Sequence, residues 1–335
     1  MTEPQRAEWS GVRTLVTGGL GVIGSNLVHR LHALGATVMV VDALIPGHGG
    51  SRANLDGLGN AVEVIVGDLR DRVLMENLVA TQQVIFNLAG QISHEDSMRD
   101  PFTDLEHNTR APLTLLEACR TANPDVRVVF TGTRQQYGRP QYVPVDERHP
   151  MQPVDVNGVN KWAGEYYHLL YHEVYGMRTC SLRLTNCYGP RQVTDRHTQG
   201  AFPFFIGRAL AGQPITLYDE GQFKRDINFV DDVVEALVLA GENDAAIGEA
   251  FNLGSPPVTL REFVETLGDV VGGVDVHYIP YPPQRRAIEI GDTYCEYGKI
   301  SRTLNWLPRT SLRDGLQKSI AWHRAHGPHP KEGLV

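Results

Sequence analysis

Cysteine is scarce in this chain and is scattered. Cys119, Cys180, Cys187 and Cys295 are far apart, with no pair at the short spacing of a metal site. A zinc ribbon and a disulfide framework are therefore excluded, no metal is expected, and the thiols read as idle groups in a reducing compartment. Long apolar runs are also missing: none approaches the ~20 residues of a membrane span. The first ten residues are polar and lack the apolar stretch of a secretory leader. The expectation is a cytoplasmic protein with no membrane partner. Positive charge is in deficit too. The net charge is −8, and no basic arm or stripe stands ready to neutralise a phosphate backbone. A nucleic-acid partner is set aside, although a few placed arginines can still hold a small anion.

The 335 residues suffice for one large α/β domain, or one domain with a smaller companion. Short apolar, β-branched runs at Val12–Thr17, Thr37–Val41, Val62–Val66, Gln83–Leu88, Val126–Phe130 and Thr179–Leu184 read as strands. Helical patterns lie between them at Ser25–Leu34, Asp71–Val79, Ala111–Ala122 and Asn157–Tyr175. Strand and helix in alternation predict a Rossmann-type, doubly wound parallel sheet. After Asn186 the segments shorten, with proline and glycine clusters at Gly189-Pro190, Ser255-Pro256-Pro257 and Pro280–Pro283. The pattern predicts a dinucleotide domain over 10–185, with 225–255 returning to it. Ile227–Val230 is expected to rejoin the large sheet ahead of a helix at Asp231–Ala240. A smaller mixed α/β region over 186–224 and 256–326 would bind substrate, and 327–335 would be a loose tail.

Thr17-Gly18-Gly19-Leu20-Gly21-Val22-Ile23-Gly24 follows the first strand and opens the first helix. Gly18 permits a tight turn, Gly21 lets the backbone approach a pyrophosphate, and Gly24 allows close packing of helix on strand. The helix start, including Val22 and Ile23, offers free N–H groups to an anion. Asp42 ends the second strand, where an acid binds the adenosine ribose hydroxyls and repels a 2′-phosphate. NAD is therefore expected rather than NADP.

With these motifs in order, the chain resembles the extended short-chain dehydrogenases/reductases of the NAD-dependent epimerase/dehydratase family, from about Val12 to Leu316. Val66-Gly67-Asp68-Leu69 is similar to the family segment whose Asp meets adenine, and Asn87-Leu88-Ala89-Gly90 to the strand end beneath the cofactor. Asn108 falls at the family's helix asparagine, where a structural role is as well supported as a catalytic one. The resemblance also implies a Ser/Thr–Tyr–Lys constellation. In it the Lys binds the nicotinamide ribose and lowers the Tyr pKa, and the phenolate takes a proton from a sugar hydroxyl. Phe130-Thr131-Gly132-Thr133 supplies Thr133, and Lys161, followed by Ala163-Gly164-Glu165, supplies the lysine. The tyrosine is missing. Asn157 stands four residues before Lys161, on the same helix face, and an amide cannot carry a proton near neutral pH.

Three readings of that gap stay open. Asn157 orients a water, another side chain moves the proton, or catalysis is lost. His94, in Ser93-His94-Glu95-Asp96, is the leading replacement because an imidazole ordinarily titrates near neutrality. Tyr137, in a Tyr-Gly pair similar to a structural family feature, is the second. Gln135 and Cys187 can line the pocket but are poor proton carriers at pH 7. At the substrate end, Asn186-Cys187-Tyr188-Gly189-Pro190 resembles the family segment whose Asn touches a substrate diphosphate. Gly221-Gln222-Phe223-Lys224-Arg225-Asp226 resembles the one whose Arg binds it, and Arg286 falls near a second such arginine. A nucleoside diphosphate sugar is therefore the expected partner, with a UDP-hexose 4-epimerase ahead of a dehydratase (Glu95 its weak acid/base) and of a net dehydrogenase or reductase. The rival from another class is a non-catalytic protein that binds NAD and nucleotide sugar. A homodimer through Ala111–Ala122 and Asn157–Tyr175 is implied by the resemblance alone.

Overall fold

The computed structural model describes residues 9–195, 200–282 and 290–327. In chain order its strands are β1 (Arg13–Thr17), β2 (Thr37–Asp42), β3 (Glu63–Val66), β4 (Val84–Asn87), β5 (Arg127–Thr133), β6 (Arg178–Leu184), β7 (Asn186–Tyr188), β8 (Ile215–Tyr218), β9 (Lys224–Arg225), β10 (Ile227–Phe229), β11 (Ala250–Leu253), β12 (Val258–Thr259) and β13 (Val276–Ile279). Its helices are α1 (Val22–Ala33), α2 (Arg72–Val79), α3 (His94–Arg99), α4 (Pro101–Leu105), α5 (Ala111–Ala122), α6 (Val156–Tyr175), α7 (Ala201–Leu210), α8 (Val230–Glu242), α9 (Leu260–Val271), α10 (Gly298–Leu304) and α11 (Leu312–His326).

Seven strands form one parallel sheet in the order β11-β6-β5-β4-β1-β2-β3. The chain winds outward from β1 to β3, then restarts beside β1 with β4. That reversal opens a crevice at the carboxyl ends of β1 and β4, where ligands bind in doubly wound sheets. Both faces of the sheet are covered, so the central strands are buried throughout their apolar length. The period-2 alternation divides them between two cores. Val16, Phe86 and Val129 face Leu27, Leu31 and Leu237 of α1 and α8. Leu15, Ile85 and Val128 face Met75, Leu115 and Leu116 of α2 and α5.

One expectation fails. Ile227–Phe229 does not rejoin the large sheet; it pairs with Asn186–Tyr188 in a two-stranded parallel sheet. The return is made by α8, which packs against β4, β5 and β6, and by β11, which pairs with β6. Beyond β6 the smaller region holds two further two-stranded sheets, β12 with β9 and β13 with β8. No described helix is long and apolar enough to cross a membrane.

Candidate active site

The floor of the crevice is set by one hydroxyl. Thr17, the last residue of β1, accepts the backbone N–H groups of Leu88 and Ala89 at 3.1 and 3.2 Å and donates to Asn87 Oδ1 at 3.0 Å. The glycine turn packs directly on this floor. Gly18 lies at φ +67°, and a Cβ there would come within 2.9 Å of the Ala89 backbone. A Cβ on Gly24 would stand 2.2 Å from the Gly18 carbonyl oxygen. Gly21 caps α1 with no side-chain acceptor, and the first turn carries no acid. Val22 and Ile23 line the cavity, and the helix start there carries no capping side chain, as an anion site requires. Asp42 takes the N–H groups of Leu20 at 3.1 Å and Leu44 at 2.9 Å, which aim its carboxylate across the turn. Burial outweighs those two bonds and raises its pKa. Asp68 is tied to Arg70 at 2.6 Å, and that partner holds its carboxyl below the usual range. This cradle fits a dinucleotide: glycines where the backbone must come close, bare helix N–H groups, and an acid at the end of β2.

A single cavity of about 1580 Å³ runs from these residues across the sheet edge. It brings together Gly18, Gly21, Val22, Ile23, Gly24, Asp42, Asp68, Leu69, Leu88 and Ala89 at one end. Thr133, Gln135, His94, Asn157 and Lys161 line its middle, and Asn186, Cys187 and Arg225 its far side. The volume exceeds the usual range for one small ligand, about 300–1,000 Å³. At the far side Tyr218 and Tyr281 lie with ring centroids 5.0 Å apart, and the Arg225 guanidinium sits 5.9 Å from the Phe223 ring. Arg225 donates to the Gly291 carbonyl at 2.7 Å, and the Asn186 amide to the Asp226 carbonyl at 2.9 Å. Arg286 lies outside the described residues.

Lys161, on α6, is buried at the cavity wall. Its ammonium donates to the Thr131 carbonyl at 3.0 Å and lies 5.1 Å from the Phe130 ring centroid. Burial lowers its pKa to about 8, against the opposing pull of Asp104 and Glu165. Thr133 ends β5 with its hydroxyl accepting from the Gln135 N–H at 3.3 Å. Asn157 is 1% exposed. Its Nδ2 donates to the Gln91 carbonyl at 2.9 Å and to Asp104 Oδ2 at 2.9 Å. A backbone carbonyl only accepts, so the amide orientation is fixed and both N–H groups are used inside the protein. This amide is an anchor. Asn108 is a second: on a π-helical turn (Glu106–Arg110) it exchanges hydrogen bonds with the Gln91 backbone and donates to Asp104.

Of the two candidate replacements, one reaches the cavity and one does not. Tyr137 is buried, donates to Asn252 at 2.8 Å and accepts from Arg183 at 2.5 Å. Burial raises its pKa further from neutrality. It does not line the cavity, and the expectation that it could serve as acid/base is corrected: its hydroxyl is part of a buried network in which Arg183 pairs with Glu165 at 2.7 Å. His94, the first residue of α3, does line the cavity. Its Nδ1 bonds the carboxylate of Asp155 and its Nε2 meets the Gln135 amide. Asp155 is also the N-cap of α6, accepting the Gly158 N–H at 2.7 Å. Burial works against the charge of Asp155, but His94 and that N–H prevail and keep its carboxyl below the usual range. Because a carboxylate only accepts, the Nδ1 of His94 carries the proton, and Nε2 accepts from the Gln135 amide on the cavity wall. The sequence alone did not reveal Asp155. Its cap position is legible, but its partner is 61 residues away.

The chain is similar to known proteins in sequence and in fold. The pattern of the NAD dependent epimerase/dehydratase family matches residues 14–254. The UDP-glucose 4-epimerase of Mycolicibacterium smegmatis is 34% identical over 318 residues, covering 93% of this chain and 99% of that protein. The crystal structure of UDP-glucose 4-epimerase with UDP-glucose from Thermotoga maritima superposes with a TM-score of 0.85 at 30% identity, over 94% of this chain and 99% of that one. The dTDP-glucose 4,6-dehydratase of Streptomyces venezuelae, solved with NAD, gives 0.82 at 28% identity, over 94% and 97%. By this match in sequence and in fold, the chain belongs to the NAD dependent epimerase/dehydratase family and is an enzyme that uses NAD.

Proposed function

We propose that this chain is a UDP-hexose 4-epimerase in which His94, steadied by Asp155, does the work of the missing phenol. The observation that carries the reading is the His94–Asp155 pair on the cavity wall shared with Thr133 and Lys161. Bound NAD supplies a hydride acceptor that can give the hydride back. The protein's residues supply the rest. Lys161 holds the nicotinamide ribose with its ammonium, and Thr133 hydrogen-bonds the reacting sugar oxygen. The substrate hydroxyl displaces the Gln135 amide and passes its proton to His94 Nε2, while Asp155 stabilises the imidazolium that forms. The same proton returns when the sugar is reduced on its other face. General acid–base catalysis of this kind is worth about 10²–10⁴-fold.

The nucleotide sugar is assigned to the region after β6. Arg225 and Asn186 would meet the diphosphate, and Tyr218 and Tyr281 offer rings on which a base can stack. NAD is assigned to 10–185 with the α8–β11 return. A homodimer is proposed through α6, where Val159, Trp162 and Tyr166 sit exposed on one face, at 47%, 37% and 59%. The unpaired cysteines agree with a reducing, cytoplasmic setting. Incubation with NAD and UDP-glucose tests the reading. UDP-galactose as product supports it. A 4-keto-6-deoxy sugar would instead make the enzyme a dehydratase, with Glu95 beside His94 in the cavity. NAD bound without turnover of any UDP- or dTDP-sugar would leave a binding protein.

A further inference from the structure

Asp104, on α4, is 0% exposed and lies behind the cavity wall. Its Oδ2 accepts from Asn157 Nδ2 at 2.9 Å and Asn108 Nδ2 at 3.0 Å, and its Oδ1 from Asn160 Nδ2 at 2.8 Å. Asn157 and Asn108 each also donate to the Gln91 carbonyl, at 2.9 and 3.0 Å, so their nitrogens, not their oxygens, face the carboxyl group. Both oxygens of Asp104 therefore accept, as a carboxylate's must. A buried carboxylate surrounded by neutral amides is uncommon, because burial of a charge ordinarily demands a charge in return.

The cation beside this cluster is Lys161, which follows Asn160 in the chain: a Cβ on Gly90 would stand 2.6 Å from Asn108 Oδ1 and 3.3 Å from Lys161 Nζ, and among the described residues no carboxylate lies within ion-pair distance of that ammonium. Two acids act on it through space: Asp104 from α4, and Glu165 one turn along α6. Glu165 is already matched by Arg183 at 2.7 Å, with Ser181 and Gln136 completing its shell. His168, on the next turn, is held neutral by burial and adds no charge. Asp104 is the acid not already spent on a cation.

We infer that Asp104 is a positioning residue of the reaction, its fixed negative charge keeping the buried Lys161 protonated, and that Asn157 is kept as the anchor of that charge. The inference rests on the reading of Lys161 as the cofactor lysine, so its test measures NAD binding rather than turnover.

The experiment is the pH dependence of NAD affinity in the full chain, by calorimetry from pH 6 to 10, for wild type, Asp104→Asn and Asn160→Ala. Affinity falls as Lys161 loses its proton. Removing the carboxylate charge should move that fall to lower pH by about one unit, the low end of what a nearby charge does. Asn160→Ala removes one hydrogen bond but no charge, so its midpoint should match wild type even if its melting temperature drops. Asp104→Ser, which leaves room for a water, provides the same comparison should the amide variant not fold. An unchanged midpoint in both Asp104 variants, or an equal shift in Asn160→Ala, overturns the inference. Absence of NAD binding by wild type would instead overturn the assignment of Lys161 to the cofactor, and this inference with it.

Discussion

At the scale of single residues, the site contains two groups that look alike in sequence and act differently in the fold. Tyr137 and His94 both follow strand ends, and both could carry a proton. Only burial and hydrogen-bond partners separate them, and neither can be read locally. Tyr137→Phe should leave turnover within about twofold, because its hydroxyl is bonded between Arg183 and Asn252 and away from the cavity. It should lower stability by about 1–2 kcal/mol in urea denaturation, since two buried partners lose a bond. His168 gives a second prediction. It is stacked on Phe130 with centroids 4.3 Å apart, and burial pushes its pKa down to about 4 from 6.5. A histidine depressed in the folded state favours its neutral form, so its contribution is complete above pH 6.5 and declines as pH falls toward 4. By linkage the protein should lose about 2 kcal/mol between pH 7 and pH 5 from this group. His168→Gln, which cannot protonate, should flatten that part of the dependence.

At the scale of elements, legibility follows periodicity. The first six strands and α1, α2, α5 and α6 were visible because each is a short β-branched or 3.6-period run with its own boundary, whereas the short α3 and α4 between β4 and β5 were not. The exchange between β10 and β11 was not. Ile227–Phe229 and Ala250–Leu253 are comparably apolar and both fully buried. Which of them lies beside β6 depends on where α8 docks, a long-range matter. The cofactor turn was the most legible element, because Gly18 and Gly24 each answer a steric demand. Gly24→Ala tests it: a Cβ 2.2 Å from the Gly18 carbonyl must push α1 off β1. NAD binding should fall below detection, with a lowered melting temperature, both measurable in one ligand-shift experiment. The amide cluster around Asp104 was out of reach, because its members come from α4, the π-helical turn and α6. They meet only when these three elements pack.

At the scale of the whole molecule, the reversal of strand order between β1 and β4 puts the NAD cradle, the His94–Asp155 pair and the Arg225 side on one continuous cavity. The exposed face of α6, with Phe102 of the neighbouring α4, is the apolar surface the proposed dimer would cover. Trp162→Glu with Tyr166→Lys should give a monomer in sedimentation analysis where wild type gives a dimer. On the proposed reading, the departure at Asn157 changes which side chain moves one proton and leaves both binding regions in place. The most direct measurement is therefore the epimerisation rate of wild type, His94→Ala and Asn157→Ala with saturating NAD and UDP-glucose. The account predicts a loss of about 10²–10⁴-fold for His94→Ala with NAD affinity kept, and less than about tenfold for Asn157→Ala. A His94→Ala enzyme as fast as wild type would contradict it.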